Sequence, residues 1–169
     1  MPAGSTYTPI ATYTATGSVA SYTFSSIPST YTDLILVAQT IVSSGASFSD
    51  VFLRFNGDTG SNYSNTYLLG LSPSSAVSGR AANVTVADSG YLTSNSGNPN
   101  TRIIQLMNYS NTTTNKTVIS RGSSVNSGQV ISYVNLWRNT AAINSIILFP
   151  QSGNYAAGTT FTLYGIAAA

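Results

Sequence analysis

Cysteine and histidine are both absent from the 169 residues. The chain therefore has no disulfide, no Ser-His-Asp triad, no Cys-His pair and no zinc site built from those ligands. Glutamate is missing too, and the acids are Asp33, Asp50, Asp58 and Asp88 alone. A paired-carboxylate hydrolase would have to draw on two of these four. Asp33 and Asp50 each stand just before an apolar run, where a carboxylate serves strand entry or a turn. The inventory reads as non-enzymatic, with no catalytic residue and no cofactor.

Charge of either sign is scarce. Charged residues make up 6% of the chain, against about 25% in an ordinary domain. The cations Arg54, Arg80, Arg102, Lys116, Arg121 and Arg138 are scattered, and the formal net charge is +2. Phosphate tracking needs clustered Lys and Arg, so nucleic acid is not an expected partner. No run of 18 apolar residues occurs, so no transmembrane helix and no membrane partner are expected. The opening MPAGSTYTPIATYTATG lacks a basic segment followed by an apolar core and does not read as a signal peptide.

What is abundant points to strands. Apolar residues reach 42%, with 11 Tyr and 6 Phe, enough to argue against disorder. Thr, Val, Ile, Tyr and Phe favour strands, whereas Ser, Asn and Gly favour turns. The organising stretch is Asp33 to Val42, DLILVAQTIV. Four consecutive apolar residues, Leu34 to Val37, cannot share one face, so this strand is expected to be covered on both. Its partner runs from Val51 to Arg54. Further strands are expected at Ser18 to Phe24, Tyr63 to Leu71, Asn83 to Ala87, Thr101 to Tyr109, Lys116 to Arg121, Gln129 to Trp137, Ile143 to Phe149 and Thr160 to Ile166. Connections are expected at 43–47, 72–82, 94–100 and 123–128, and a short helical turn competes at Thr140 to Ser145.

Eight to ten strands at this spacing mark an all-β antiparallel sandwich or barrel. We read one β-sandwich domain over residues 17–169 behind an extended N-terminal arm over 1–16, whose second half suits an edge strand. The expected core is Leu34, Leu36, Val51, Leu53, Phe55, Ile103, Leu106, Val130, Val134, Ile147, Phe161 and Leu163.

Three local patterns invite chemistry. Asn56-Gly57-Asp58-Thr59-Gly60-Ser61-Asn62 carries oxygens but only one carboxylate, and lacks the alternating acids of a calcium loop. It reads as a turn closed by local Asx bonds, with no metal. The sequons at Asn83 and Asn111 arise by chance in a chain this rich in Ser, Thr and Asn. Tyrosines suit interfaces because the ring is apolar and the hydroxyl stays wet. Tyr7, Ile10 and Tyr13 of the arm, with Tyr63 and Tyr155, are the expected partner contacts.

The edges carry a further signal. Sheets guard their edges with Lys, Glu and inward charges, and this chain has one Lys and no Glu. Its edges must be covered by its own arm, by copies of itself or by a partner. Contacts made by an uncharged surface also depend little on salt.

The stretches SSIPSTYTDLILVAQT (25–40), FLRFNGDTGSNYS (52–64) and AAGTTFTLYGIAAA (156–169) resemble small structural proteins of tailed bacteriophages, including phages of cyanobacteria. That group contains β-sandwich capsid decoration (cement) proteins and modules of tail fibres or adhesins. The resemblance implies a virion protein with a jelly-roll-like fold and trimeric assembly, made in the bacterial cytoplasm and placed on the capsid surface. Its implied partners are copies of itself and the major capsid protein. The alternative is a tail-fibre or adhesin module that binds a host-surface glycan. No functional residue is carried over by the resemblance.

Overall fold

The computed structural model describes residues 6–43, 48–71, 75–93, 99–124 and 129–167. Parts of the expected connections, at 44–47, 72–74, 94–98 and 125–128, lie outside the described residues. The described chain contains strands and turns but no helix, and Thr140 to Ser145 is irregular.

Among the described residues twelve strands form two antiparallel sheets: β1 (Tyr7–Thr14), β2 (Tyr22–Phe24), β3 (Asp33–Thr40), β4 (Phe48–Phe55), β5 (Tyr63–Leu71), β6 (Ser75–Val84), β7 (Ala87–Thr93), β8 (Asn100–Met107), β9 (Lys116–Ser124), β10 (Gln129–Trp137), β11 (Ile146–Pro150) and β12 (Thr160–Ile166). One sheet runs β1-β12-β3-β8-β9-β10-β5-β6, the other β2-β11-β4-β7. Setting aside the hairpins β5–β6 and β9–β10 leaves β1-β12-β3-β8 facing β2-β11-β4-β7. That is the eight-strand jelly roll. The two hairpins join through β10 and β5 and widen one sheet to eight strands. Because the other sheet keeps four, the large sheet extends beyond it towards β5 and β6.

The core lies between the sheets. Leu34, Leu36 and Ala38 of β3 meet Val51, Leu53 and Phe55 of β4, with Leu148, Phe161 and Leu163. The expectation of a second covering layer over β3 is corrected. Its outward residues are Ile35, still buried, and half-buried Val37. Among the described residues no third layer lies over them. Ile35 sits in register between Gln105 and Tyr164, which shield it from either side. A four-residue apolar run here records a central position in a wide sheet.

Four expected core residues need correction. Val130 and Val134 are 63% and 45% exposed, Ile103 is 37% exposed, and Ile147 is only half-buried. In β10 the inward set is Ile131, Tyr133, Asn135 and Trp137. Both faces of that strand alternate with similar apolar content, so periodicity alone does not choose between them. In β8 Leu106 points inward as expected, together with Arg102 and Ile104, and Ile103 faces out.

The N-terminal stretch is built into the sandwich. β1 pairs along β12 from Tyr7↔Ile166 to Thr14↔Thr160. Ile10, Ala11 and Tyr13 pack against the core, and Tyr13 stacks on Tyr22 at 3.9 Å between centroids. β6, expected as a connection, is a ten-residue strand. Its Ser-Ala-Gly composition conceals a strand that is ordered by pairing with β5 from Ser75↔Leu71 to Tyr63↔Val84.

Candidate association surface

Two places concentrate unusual chemistry: a buried polar cluster between the sheets, and the outer face and free edge of the large sheet. The cluster is built on inward positions of β8, β9 and β10 facing β7. Arg102 is 1% exposed. Its Nε donates to the Ser89 carbonyl at 3.0 Å, and the Ser120 hydroxyl donates to the same oxygen at 3.3 Å. Asn135 bonds the backbone of Asp88 twice, accepting from its N–H and donating to its C=O, each at 2.8 Å. The amide of Asn135 thus stands where a neighbouring strand would. Ser89 Oγ donates to the Val51 carbonyl at 2.8 Å and ties β7 back to β4.

Burial governs the ionisation of this cluster. It raises Asp88 to about 7, helped by repulsion from Asp50 and opposed by the Gly90 N–H and Arg102. It raises Asp50 as well, with Arg102 opposing. It lowers Arg102 to about 10, against the pull of Asp88 and Asp50. A raised carboxylate can mark a catalytic acid, but a catalytic acid needs an open cleft to its substrate. Asp88 Oδ1 accepts from Gly90 N–H at 2.7 Å, while Arg102, Ser120 and Asn135 satisfy the β7 backbone, so the cluster forms a polar seam joining β7 to the large sheet.

The expected calcium-like loop has a similar structural use. Asn56 and Gly57 both take positive φ, 52° and 69°, and Asp58 N–H returns to the Phe55 carbonyl at 2.9 Å. This is the Asn-Gly turn that the sequence predicts. Asp58 Oδ1 accepts from Gly60 N–H at 2.8 Å, and Oδ2 accepts from Trp137 Nε1 at 2.7 Å and Asn62 Nδ2 at 3.0 Å. Burial raises its pKa, but the bonds from Trp137, Asn62 and Gly60 outweigh burial and hold it below the usual carboxylate value. Both oxygens already accept protein donors. Among the described residues no group of three or more His, Cys, Asp or Glu side chains gathers to hold a metal.

The five expected partner contacts do not form one patch. Tyr63 and Tyr155 are corrected outright, since both are 0% exposed. Tyr63 accepts from Phe55 N–H at 3.1 Å and stacks near Trp137, and burial pushes its hydroxyl up to about 12. Tyr155 packs on Phe161 at 5.1 Å, and burial raises its hydroxyl too. Ile10 and Tyr13 are partly buried against the core. Tyr7 alone is open, 56% exposed, where it meets Tyr164 edge-on at 6.2 Å.

The exposed apolar groups that sequence reasoning placed in the core gather instead on the outer face of the large sheet. Leu68 of β5 is 65% exposed, and it shares this face with Val130, Val134 and Ile103. Cross-strand register places Leu68 beside Ser78 and Ser132, and Val134 between Thr66 and Ile119. Shallow depressions run along the face. One is lined by Ser64, Thr66, Arg80, Val134 and Leu136, another by Leu68, Gly70, Ser78, Val130 and Ser132. Gly70 lies opposite Val130, whose side chain fills the space over it; a Cβ would meet Val130 Cγ1 at 2.8 Å. The charges in these rows are Arg80, opposite Thr66, and Arg121, opposite Ser132 and Ile103. The carboxylates lie elsewhere: Asp50 and Asp88 at the buried seam, Asp58 in its turn, and Asp33 accepting from Asn108 N–H at 2.7 Å.

No protein-family model matches the chain, and no curated protein matches it. Among solved structures, it is similar to the galectin LEC-6 of Caenorhabditis elegans, at a TM-score of 0.40 and 6% identity over 93% of this chain and 96% of that one. It is also similar to the protein of unknown function SO2946 from Shewanella oneidensis MR-1, at a TM-score of 0.25 and 11% identity over 85% of this chain and 62% of that one.

Proposed function

We propose that this protein is a non-enzymatic structural module that works by surface association, as a decoration protein on a bacteriophage capsid. The observation that carries the reading is the outer face of the large sheet: exposed Leu68, Val130, Val134 and Ile103 among Ser and Thr, without a carboxylate in their rows. Such a mixed face gains free energy by removing apolar area from water and loses little by desolvating charge. The capsid assignment itself rests on the resemblance of residues 25–40, 52–64 and 156–169 to virion proteins. The proposed partners are copies of this chain and the major capsid protein, and the place of action is the virion surface.

The tail-fibre or adhesin reading is favoured by the depression where Ser64 and Thr66 supply hydroxyls and Arg80 the guanidinium that glycan recognition uses. Copy number separates the two. Mass spectrometry of purified virions of the encoding phage should find hundreds of copies per particle for a decoration protein. A few dozen or fewer would place it on the tail, and none would remove it from the virion.

A further inference from the structure

The four sheet edges are not equally protected. β1 carries Pro9 and a register shift between Pro9 and Ala11, two devices that spoil edge pairing. β2 is only three residues long. β7 has the backbone of Asp88 and Ser89 bonded by Asn135, Arg102 and Ser120. β6 has a register shift only at its far end, where Asn83 bulges out at a φ of 56°, and the stretch from Ser75 to Ala82 has none of these. The strand runs ten residues, mostly exposed, with no Pro, Lys or acid and one Arg.

We propose that β6 pairs antiparallel with β6 of a second copy of this chain, about a two-fold axis at Gly79, joining two eight-stranded sheets into one. A two-fold antiparallel ladder places each residue opposite its mirror position, so the axis must pass through a residue paired with itself. Centring on Arg80 would set two guanidiniums face to face, which is unfavourable. Centring on Gly79 pairs Arg80 with Ser78, Val77 with Ala81 and Ala76 with Ala82, all short of the bulge at Asn83. No like charges then stand opposite one another, and the small side chains present no bulk to clash.

Tyr67 supports the same register. It lies opposite Gly79 and stacks on Tyr133 at 5.1 Å. A Cβ on Gly79 would overlap its ring and hydroxyl. The ring thus lies across an edge glycine, an arrangement that repairs edge-strand pairing in sheets. At the axis the rings of the two copies lie side by side, each covering the backbone pair that the glycines leave bare. Val77, 39% exposed on that same face, is covered with them.

This two-fold pair stands in place of the threefold assembly that the virion resemblance implies, and it is independent of what the outer face docks on. It is tested in dilute solution by sedimentation velocity of the full chain and two variants. The wild type should give the mass of two chains. S78R sets Arg against Arg80 twice per dimer and should weaken dimerisation about 3- to 30-fold. S78D sets Asp against Arg80 and should keep the dimer, with a dissociation constant that rises with salt. Because the chain has no cysteine, the double variant V77C/A81C offers an independent readout: oxidation should link two chains through Cys pairs. A wild type that sediments as one chain or three overturns the proposal. So does S78R dimerisation equal to wild type, or failure of V77C/A81C to cross-link while its circular dichroism matches the wild type.

Discussion

Asp58 and Asp88 show how one residue type is put to opposite uses. Asp58 is held ionised by three N–H donors, and its depressed pKa ties part of the stability to the carboxylate. That contribution is present above the unfolded value of about 3.9 and is lost as pH falls through the folded value. D58A removes the acceptor of the buried Trp137 N–H and should lower unfolding free energy by about 2–3 kcal/mol, read by urea denaturation at pH 7. Asp88 runs the other way. Its folded pKa of about 7 lies above the unfolded value, so its neutral form favours folding. The contribution is complete below about pH 4 and is lost as pH rises through 7. In D88N the urea midpoint should no longer fall between pH 5 and pH 8, whereas the wild type should lose stability across that window. The Asn-Gly turn that positions Asp58 was legible because φ > 0 at two successive residues demands those residue types. The raised Asp88 was not, because nothing in its neighbours Ala87 and Ser89 announces Arg102 and Asn135 across the sandwich.

Strands β1, β7 and β10 show where element-level reading succeeds and stops. Strand existence in β3, β8, β10 and β12 follows from β-branched and aromatic runs. Facing does not: Val130 and Val134 of β10 alternate with Ile131 and Tyr133, and only the packing of β7 on one side decides which set is buried. β6 was unreadable because Ser, Ala and Gly carry no period, and its order comes from β5. β7 depends on side chains of the other sheet, so N135A should expose the backbone of Asp88 to an unpaired burial and cost about 2–3 kcal/mol. Its signature is faster amide exchange in β7 than in β3. β1 is part of the fold, with Tyr13 stacked on Tyr22 and Ile10 against the core. Deleting residues 2–14 should therefore lower the thermal midpoint markedly.

At the scale of the molecule, two hairpins inserted into a jelly roll create a sheet wider than its partner. The surplus width gives the chain a broad outer face and an edge, β6, guarded only by its terminal bulge at Asn83. Jelly rolls serve many functions, and the large-sheet surface is what this chain adds to the common frame. Attachment through Leu68, Val130 and Val134 should persist when salt rises from about 0.1 to 1 M, although the Debye length shrinks from about 10 to 3 Å. The measurement that tests this surface most directly is the occupancy of capsid shells by the double variant L68E/V134E, whose sites are 65% and 45% exposed. We predict a thermal midpoint close to wild type and occupancy reduced at least tenfold; occupancy equal to wild type would contradict the assignment of the outer face as the docking surface.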